Sequence, residues 1–380
     1  MIRRAAAVAA LASLPAVVPA AARAQSEPPP ASPPLGAPAC DDALALRPLL
    51  LVQSDLVPYA GSRASTSAGD PVSESGFRLR RARVGLDAAT VRGAVTPWGA
   101  RLVMEAWSDG DAGLAAAHPS GPRVTDAFVE WRRFRAFRVA AGSLRVPFSL
   151  SRQIDEGDLR LPERPLVVQA VAPEWRAGAM LRGDLGLLRY RAAAMNTAPE
   201  LAASWASAGA LFVGRVDAEP VGPVGVTPWL RPASDDWWSW WRFAVGASGF
   251  YTSVAGADGN RWGAEGDLQL QWKRLALAAE GLWVGPETQR RGGYVEPGVY
   301  LWLDRLEVTG RFEIYDEKPA ATPASQTWAT TLGATFLSVD RRVRLQAAYA
   351  HRHERSGPQI ANDWVVLRAA FVLGSIGDGP

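Results

Sequence analysis

From Arg47 onward the chain alternates apolar and polar residues with a period of two, in segments roughly ten residues long. Leu306, Val308, Gly310, Phe312 and Ile314 share one face of such a segment, and Glu307, Thr309, Arg311, Glu313 and Tyr315 share the other. Val343, Leu345, Ala347 and Tyr349 stand opposite Arg342, Arg344, Gln346 and Ala348, and Leu188, Tyr190 and Ala192 alternate with Arg189 and Arg191. Period two puts these sets on the two faces of a β-strand. Past the first residues, every hydrophobic stretch is interrupted by Arg, Asp, Glu or Gln before it reaches the ~20 apolar residues that a membrane-spanning helix needs. The chain is nevertheless 48% hydrophobic with 16 Trp. Both facts fit an all-β, antiparallel transmembrane barrel, apolar toward lipid and polar toward a wet interior.

About sixteen such segments can be counted, an even number as single-chain outer-membrane barrels show. Connections alternate between tight and long. Arg132–Ala136, Gly183–Gly186, Lys273–Arg274 and Asp304–Arg305 read as tight; Ser108–Val124, Ser149–Glu174, Glu219–Trp237 and Glu317–Gln326 read as long. Trp98, Trp107, Trp131, Trp262, Trp272, Trp283, Trp302, Trp328 and Trp364 fall near segment ends, where an amphipathic ring suits the headgroup level. They are expected to form the aromatic girdles. Ser149–Ala172, the longest irregular stretch after a strand, carries Pro162 and Pro165 and follows Pro147, and it is expected to fold into the barrel and narrow it.

The first 24 residues have the form of an export signal: Arg3 and Arg4, an apolar run from Ala5 to Val18, and small residues around Ala22 and Ala24. Residues 25–46 include a proline-rich segment that cannot pack a core and reads as a periplasmic arm. The barrel is expected over 47–373 and a short tail over 374–380. A single cysteine, Cys40, allows no intramolecular disulfide after export. The formal charge of +3 owes three arginines to the leader, so the remainder is balanced and gives no support to nucleic-acid binding. Among the basic residues only Lys273 and Lys318 are lysines; guanidinium suits bidentate oxyanion contacts.

The alternation places Arg81, Arg83, Arg101, Arg138, Arg176, Arg182, Arg189, Arg191, Arg215, Arg242, Arg311, Arg344 and Arg368 toward the lumen. Asp87, Glu105, Asp126, Glu130, Asp217, Asp267, Glu280, Glu296, Glu307 and Glu313 face the same way. The arginines are either anion contacts along a pore or partners of these carboxylates in a rigid wall. In the long segment, Arg152, Arg160 and Arg164 stand among Asp155, Glu156, Asp158 and Glu163, so a constriction there has mixed charge. Catalysis needs a positioned base, and the only histidines are His118 in a long loop and His351 and His353 near a strand end. The H-x-H pair shares a face without an evident third ligand. No enzyme, metal or cofactor is expected.

Several segments resemble the phosphate-selective porin O and P family of outer-membrane proteins: Phe77–Leu86 (FRLRRARVGL), Asp126–Arg132 (DAFVEWR), Phe137–Ser149 (FRVAAGSLRVPFS), Glu163-Arg164, Pro173–Gly183 (PEWRAGAMLRG), and Gly293–Leu301 (GYVEPGVYL) with Arg311-Phe312-Glu313 and Asp316 behind it. The resemblance runs from about Arg47 to Leu373. It implies a sixteen-stranded homotrimeric porin of the bacterial outer membrane, with outer-membrane lipid around it, small anionic solutes as passengers, a loop folded into the lumen and arginines that guide anions. The lysines that some phosphate-binding members carry at the constriction have no counterpart in Ser149–Glu174, so phosphate selectivity is not carried over. A non-conducting barrel serving as adhesin or scaffold is the alternative.

Overall fold

In a computed structural model of the chain, the described residues are 43–61, 75–91, 97–108, 122–197, 209–221, 241–253, 261–286, 289–302, 305–318 and 325–374. The expected leader, most of the proline-rich arm, Cys40, His118 and nearly all of the expected tail lie outside them.

Sixteen antiparallel strands close into one barrel: β1 Ala43–Ala60, β2 Gly76–Val91, β3 Trp98–Ser108, β4 Arg123–Phe134, β5 Phe137–Arg145, β6 Trp175–Asp184, β7 Leu188–Asn196, β8 Ala210–Val221, β9 Trp241–Ser253, β10 Arg261–Trp272, β11 Leu275–Gly285, β12 Gln289–Trp302, β13 Leu306–Lys318, β14 Gln326–Leu337, β15 Val343–Glu354 and β16 Trp364–Leu373. Each strand pairs with its sequence neighbours, and β1 pairs with β16 through Leu50↔Leu373 and Val52↔Phe371. Closure leaves no unpaired edge, which is the condition for carrying backbone amides through lipid.

The period-two reading fixes the faces. Val245, Val295, Phe312, Leu332 and Leu345 are exposed on the outer wall, whereas Glu307, Thr309, Arg311 and Glu313 are buried inside. At the end bearing the short turns, Trp98 pairs with Trp131 and Trp241 with Trp272, and Trp302, Phe134 and Phe137 complete an outward aromatic ring. Near the opposite end, Trp262 packs edge-on against Trp283 at 4.3 Å, beside Tyr251. Trp364 is not a girdle residue. It points inward and is buried with Val57, Leu161, Ala348, Ala350 and Val366. The alternation of connections also differs at two places: Val221–Trp241 joins strands at the short-turn end despite its length, and β11–β12, at the long-loop end, is joined by residues 286–288 alone.

One strand breaks the simple alternation. In β1–β2, Gln53 pairs with Arg81 but Ser54 pairs with Leu79, so Arg80 is an extra residue at a bulge. The bulge shifts the phase of β2: Arg78 and Arg80 turn inward above it, and Arg81 and Arg83 turn inward below it. The apolar residues follow the same shift, with Phe77 and Leu79 exposed above and Val84 and Leu86 below.

The segment Val146–Glu174, between β5 and β6, lies inside the barrel. It holds helix α1 (Leu150–Gln153), a 3-10 turn over Glu156–Asp158 and helix α2 (Leu166–Val171), and almost every residue is buried. Val146, Phe148, Leu166, Val167 and Val168 pack on Met195, Leu211, Leu282, Tyr294 and Tyr315 of the inner wall.

Candidate functional site: the loop inside the barrel and the arginine row beside it

The inward segment is apolar at both flanks and ionic at its tip, and the wall opposite each part matches. At the tip, Glu163 accepts from Arg80 at 3.1 and 3.0 Å and from Arg368 at 2.6 Å, while Arg368 also holds Asp55 at 2.7 and 2.9 Å. The Arg311 guanidinium donates twice to the Glu163 carbonyl, at 2.9 and 2.8 Å, and Arg368 donates to the Pro162 carbonyl. Burial acts to raise the Glu163 carboxyl, but Arg80 and Arg368 hold it down to about 2. Asp158 is the reverse: burial pushes its carboxyl up to about 6, with Arg344 opposing at 3.7 Å.

Arg160 reaches across to β12 and β13. It pairs with Glu307 at 2.8 and 2.5 Å and donates to the Glu296 carbonyl at 3.0 Å. Its guanidinium occupies the space that a Cβ on Gly298 would take, so a larger residue there would displace the Arg160–Glu307 pair. Arg344 and Gln346 donate to the Leu159 carbonyl at 2.8 and 3.0 Å, and Thr335 donates to the Arg160 carbonyl at 2.7 Å. Buried loop carbonyls without such donors would each carry a desolvation penalty. Within the segment, Arg164 binds the Ile154 carbonyl at 2.6 Å and Glu156 at 2.9 Å, and Arg152 pairs with Glu174 at 2.8 Å.

The arginines named from the sequence therefore divide. Arg81 and Arg83 share Glu105, at 2.7 and 3.0 Å, and Arg83 also binds Glu156 at 2.5 Å. Arg215 sits among Asp217, Asp267 and Glu265, at 2.6, 2.6 and 3.0 Å. Arg311, Arg344 and Arg368 are buried against the loop. Arg176, at the upper end of β6, donates to the carbonyls of Thr197 and Trp175 at 2.8 and 2.7 Å. These side chains hold the wall and the loop together. Arg242 faces inward near the short-turn end of β9.

Arg101, Arg182 and Arg191 border open space. A cavity of about 250 Å³ lies between the loop and β1–β7. Arg47, Arg101, Arg132, Arg145, Arg182 and Arg191 line it, against three carboxylates, Asp87, Asp126 and Glu130. Arg101 and Arg47 share Asp87, Arg182 grips Glu130 at 2.6 and 2.8 Å, and Arg191 donates to the neutral Gln153 amide oxygen at 2.9 Å. Strand register sets Arg138 opposite Arg182, Arg182 opposite Arg191, and Arg191 opposite Arg215, so four arginines form one row across β5–β8. Arg138 has no carboxylate partner among the described residues, and its Nε is buried without a hydrogen bond. Arg189, farther toward the short-turn end, pairs with Glu219.

Sequence reasoning missed Arg78, Arg80, Arg132, Arg145 and Gln153. A phase break in the apolar pattern of Phe77–Leu86 marks the first two; nothing local marks the others. His351 faces outward and is bonded to Asp363 at 2.9 Å, and His353 packs on Trp328 with ring centroids 4.9 Å apart. Among the described residues, no group of three His, Cys, Asp or Glu side chains is placed to hold a metal ion.

A closed sixteen-stranded barrel, apolar outside, girdled by aromatic rings and charged within, is a porin-type barrel of the bacterial outer membrane. The profile of the phosphate-selective porin O and P family matches residues 59–210, which bears out the resemblance over the motifs from Phe77 to Gly183; the motifs from Gly293 onward lie beyond the match. No curated protein matches the chain. Similar solved structures include Salmonella typhi OmpF in complex with daunomycin (TM-score 0.61, 10% identity, covering 87% of this chain and 98% of that one). A loop L8 deletion mutant of Vibrio cholerae OmpT (0.58, 10%, 87% and 100%) and an anion-selective porin from Comamonas acidovorans (0.55, 13%, 87% and 99%) share the same fold.

Proposed function

We propose that this porin passes small hydrophilic anions by diffusion, with moderate preference over cations and no strong advantage for phosphate over chloride. The observation that carries the reading is the Arg138–Arg182–Arg191–Arg215 row beside a cavity in which six arginines face three carboxylates. Paired charges in a wet lumen cancel beyond a Debye length of roughly 8–10 Å. The net attraction then rests on Arg138, which has no carboxylate partner among the described residues, and on Arg191, which borders the cavity and donates to the Gln153 amide, with Arg101, Arg132, Arg182 and Arg189 supporting. The inward loop, with Arg152, Arg160, Glu163 and Arg164, narrows the passage and confines ions to the arginine side. A homotrimer in outer-membrane lipid is the assembly this reading expects; a similar Vibrio cholerae barrel is described in a trimer form.

The test is the reversal potential of the reconstituted protein in a potassium chloride gradient, for the parent and for Arg138→Gln with Arg191→Gln. Anion preference that falls in the double variant supports the reading. Cation preference in the parent, or no change in the variant, removes the arginine row from conduction. A barrel that inserts but gives no current would instead be a scaffold.

A further inference from the structure

The cavity beside the loop is not uniformly polar, and its two kinds of surface are sorted by strand register. One row, Arg138–Arg182–Arg191, carries guanidinium groups on β5, β6 and β7. The inward residues one step nearer the loop on the same strands are Ala140, Met180 and Ala193, which pair with one another directly. Phe128 of β4 and Leu144 of β5 extend this apolar surface, and with Ala140 and Met180 they line the cavity. Ala140, Leu144, Met180 and Ala193 are continuous with the apolar cluster under the loop, so this patch is held rigidly by Val146, Phe148 and α2.

A hydrated chloride or phosphate ion gains nothing from Phe128, Leu144 and Met180. An apolar wall here costs such an ion some of its solvation without offering a donor. A carboxylate attached to a small apolar body fits both surfaces at once: its charge is drawn to the Arg138–Arg182–Arg191 row, where Arg182 keeps Glu130 and Arg191 keeps the Gln153 amide, and its body covers what the cavity exposes of Phe128, Leu144 and Met180. Binding sites of this kind combine an apolar lining with a few placed polar groups.

We infer that the preferred solutes are amphipathic organic anions, small carboxylates with an aromatic or branched apolar body, seated with the carboxylate on the Arg182–Arg191 row and the body on Phe128, Leu144 and Met180. This rests on the anion reading above and names its substrate class.

The experiment measures how sodium benzoate, sodium acetate and inorganic phosphate reduce single-channel chloride current through the full-length reconstituted protein. Benzoate is expected to act at a concentration at least tenfold below acetate or phosphate. Met180→Gln, which keeps side-chain length, and Phe128→Ser are expected to erase that difference, and the reversal potential in potassium chloride is read on each variant beside it. Should Phe128→Ser fail to fold, Met180→Gln decides alone. Equal effects of benzoate and acetate in the parent, or a benzoate effect that survives Met180→Gln, overturn the inference. An anion-selective reversal potential measured alongside shows that the broader reading stands even then, whereas a cation-selective one fails that reading itself.

Discussion

Arg80 and Glu163 are 83 positions apart in the chain and meet inside the barrel as a paired, two-bond contact at 3.1 and 3.0 Å, both side chains buried. This pair, completed by Arg368 and Asp55, fixes the tip of the inward loop to the seam where the first and last strands close. Removing Arg80 takes two of the three arginine bonds from the buried Glu163 carboxylate and leaves it Arg368 alone, so the cost falls below the roughly 3–5 kcal/mol of a fully stranded buried charge. Arg80→Ala is therefore expected to lower the temperature at which the folded band is lost on a gel and to add fluctuation to the open-channel current. A variant matching the parent in both would show that the loop tip is held by its backbone contacts alone.

Removal of Ile154–Pro165 is expected to raise single-channel conductance. A barrel of sixteen strands encloses an aqueous channel unless something fills it, and this segment fills the side lined by β12–β16, β1 and β2 through Arg160, Glu163 and the carbonyls of Leu159 and Pro162. Conductance unchanged by the deletion would mean that ions already pass where the loop does not reach.

The division of arginines into wall and cavity sets yields opposite expectations for two substitutions of the same chemistry. Arg81→Gln leaves Glu105 with fewer partners in a buried site and should reduce stability with little effect on selectivity. Arg191→Gln, which removes a guanidinium bordering the cavity, should shift the reversal potential and lower the melting temperature less than Arg81→Gln does. Gel-shift melting and reversal potentials measured on both proteins decide it, and a selectivity change confined to Arg81→Gln would invert the assignment.

Two loop carboxyls give opposite pH dependence. Asp158, raised to about 6 by burial, contributes stability that is complete below its unfolded value near 4 and is lost as pH rises through 6. Glu163, held at about 2 against its burial by Arg80 and Arg368, contributes stability that is complete above its unfolded value near 4 and is lost as pH falls toward 2. Asp158→Asn should accordingly make the barrel more stable at pH 7 and flatten the profile between pH 4 and 6. Glu163→Gln should flatten it only below pH 4. Identical melting profiles for parent and Asp158→Asn would show that the Asp158 carboxyl titrates normally.

Much of this architecture was legible locally. A strand that repeats every two residues, such as Leu306–Asp316, carries its own instruction about which side meets lipid, because one face is apolar and the other is not. An apolar residue turned inward, or a charge turned to lipid, is costly enough to fix the register. The segment count and the lumen side of most arginines followed from that rule, and the inward position of Ser149–Ala172 from its being the longest, proline-bearing stretch that breaks it. What the rule does not contain is which inward groups meet. Arg81 and Arg191 read alike in sequence, each on a strand with a second arginine two residues away, yet one is bound to Glu105 and the other borders the cavity. The Arg80 bulge hides two further lumen arginines, Arg78 and Arg80, behind a one-residue shift, and Trp364 leaves the girdle because its strand places it on the inner face. Ion pairing across a closed barrel depends on register between strands and on where the folded-in loop lies. Both are decided when distant segments dock, so only the tertiary structure could separate the arginines that brace the wall from those left to meet a solute.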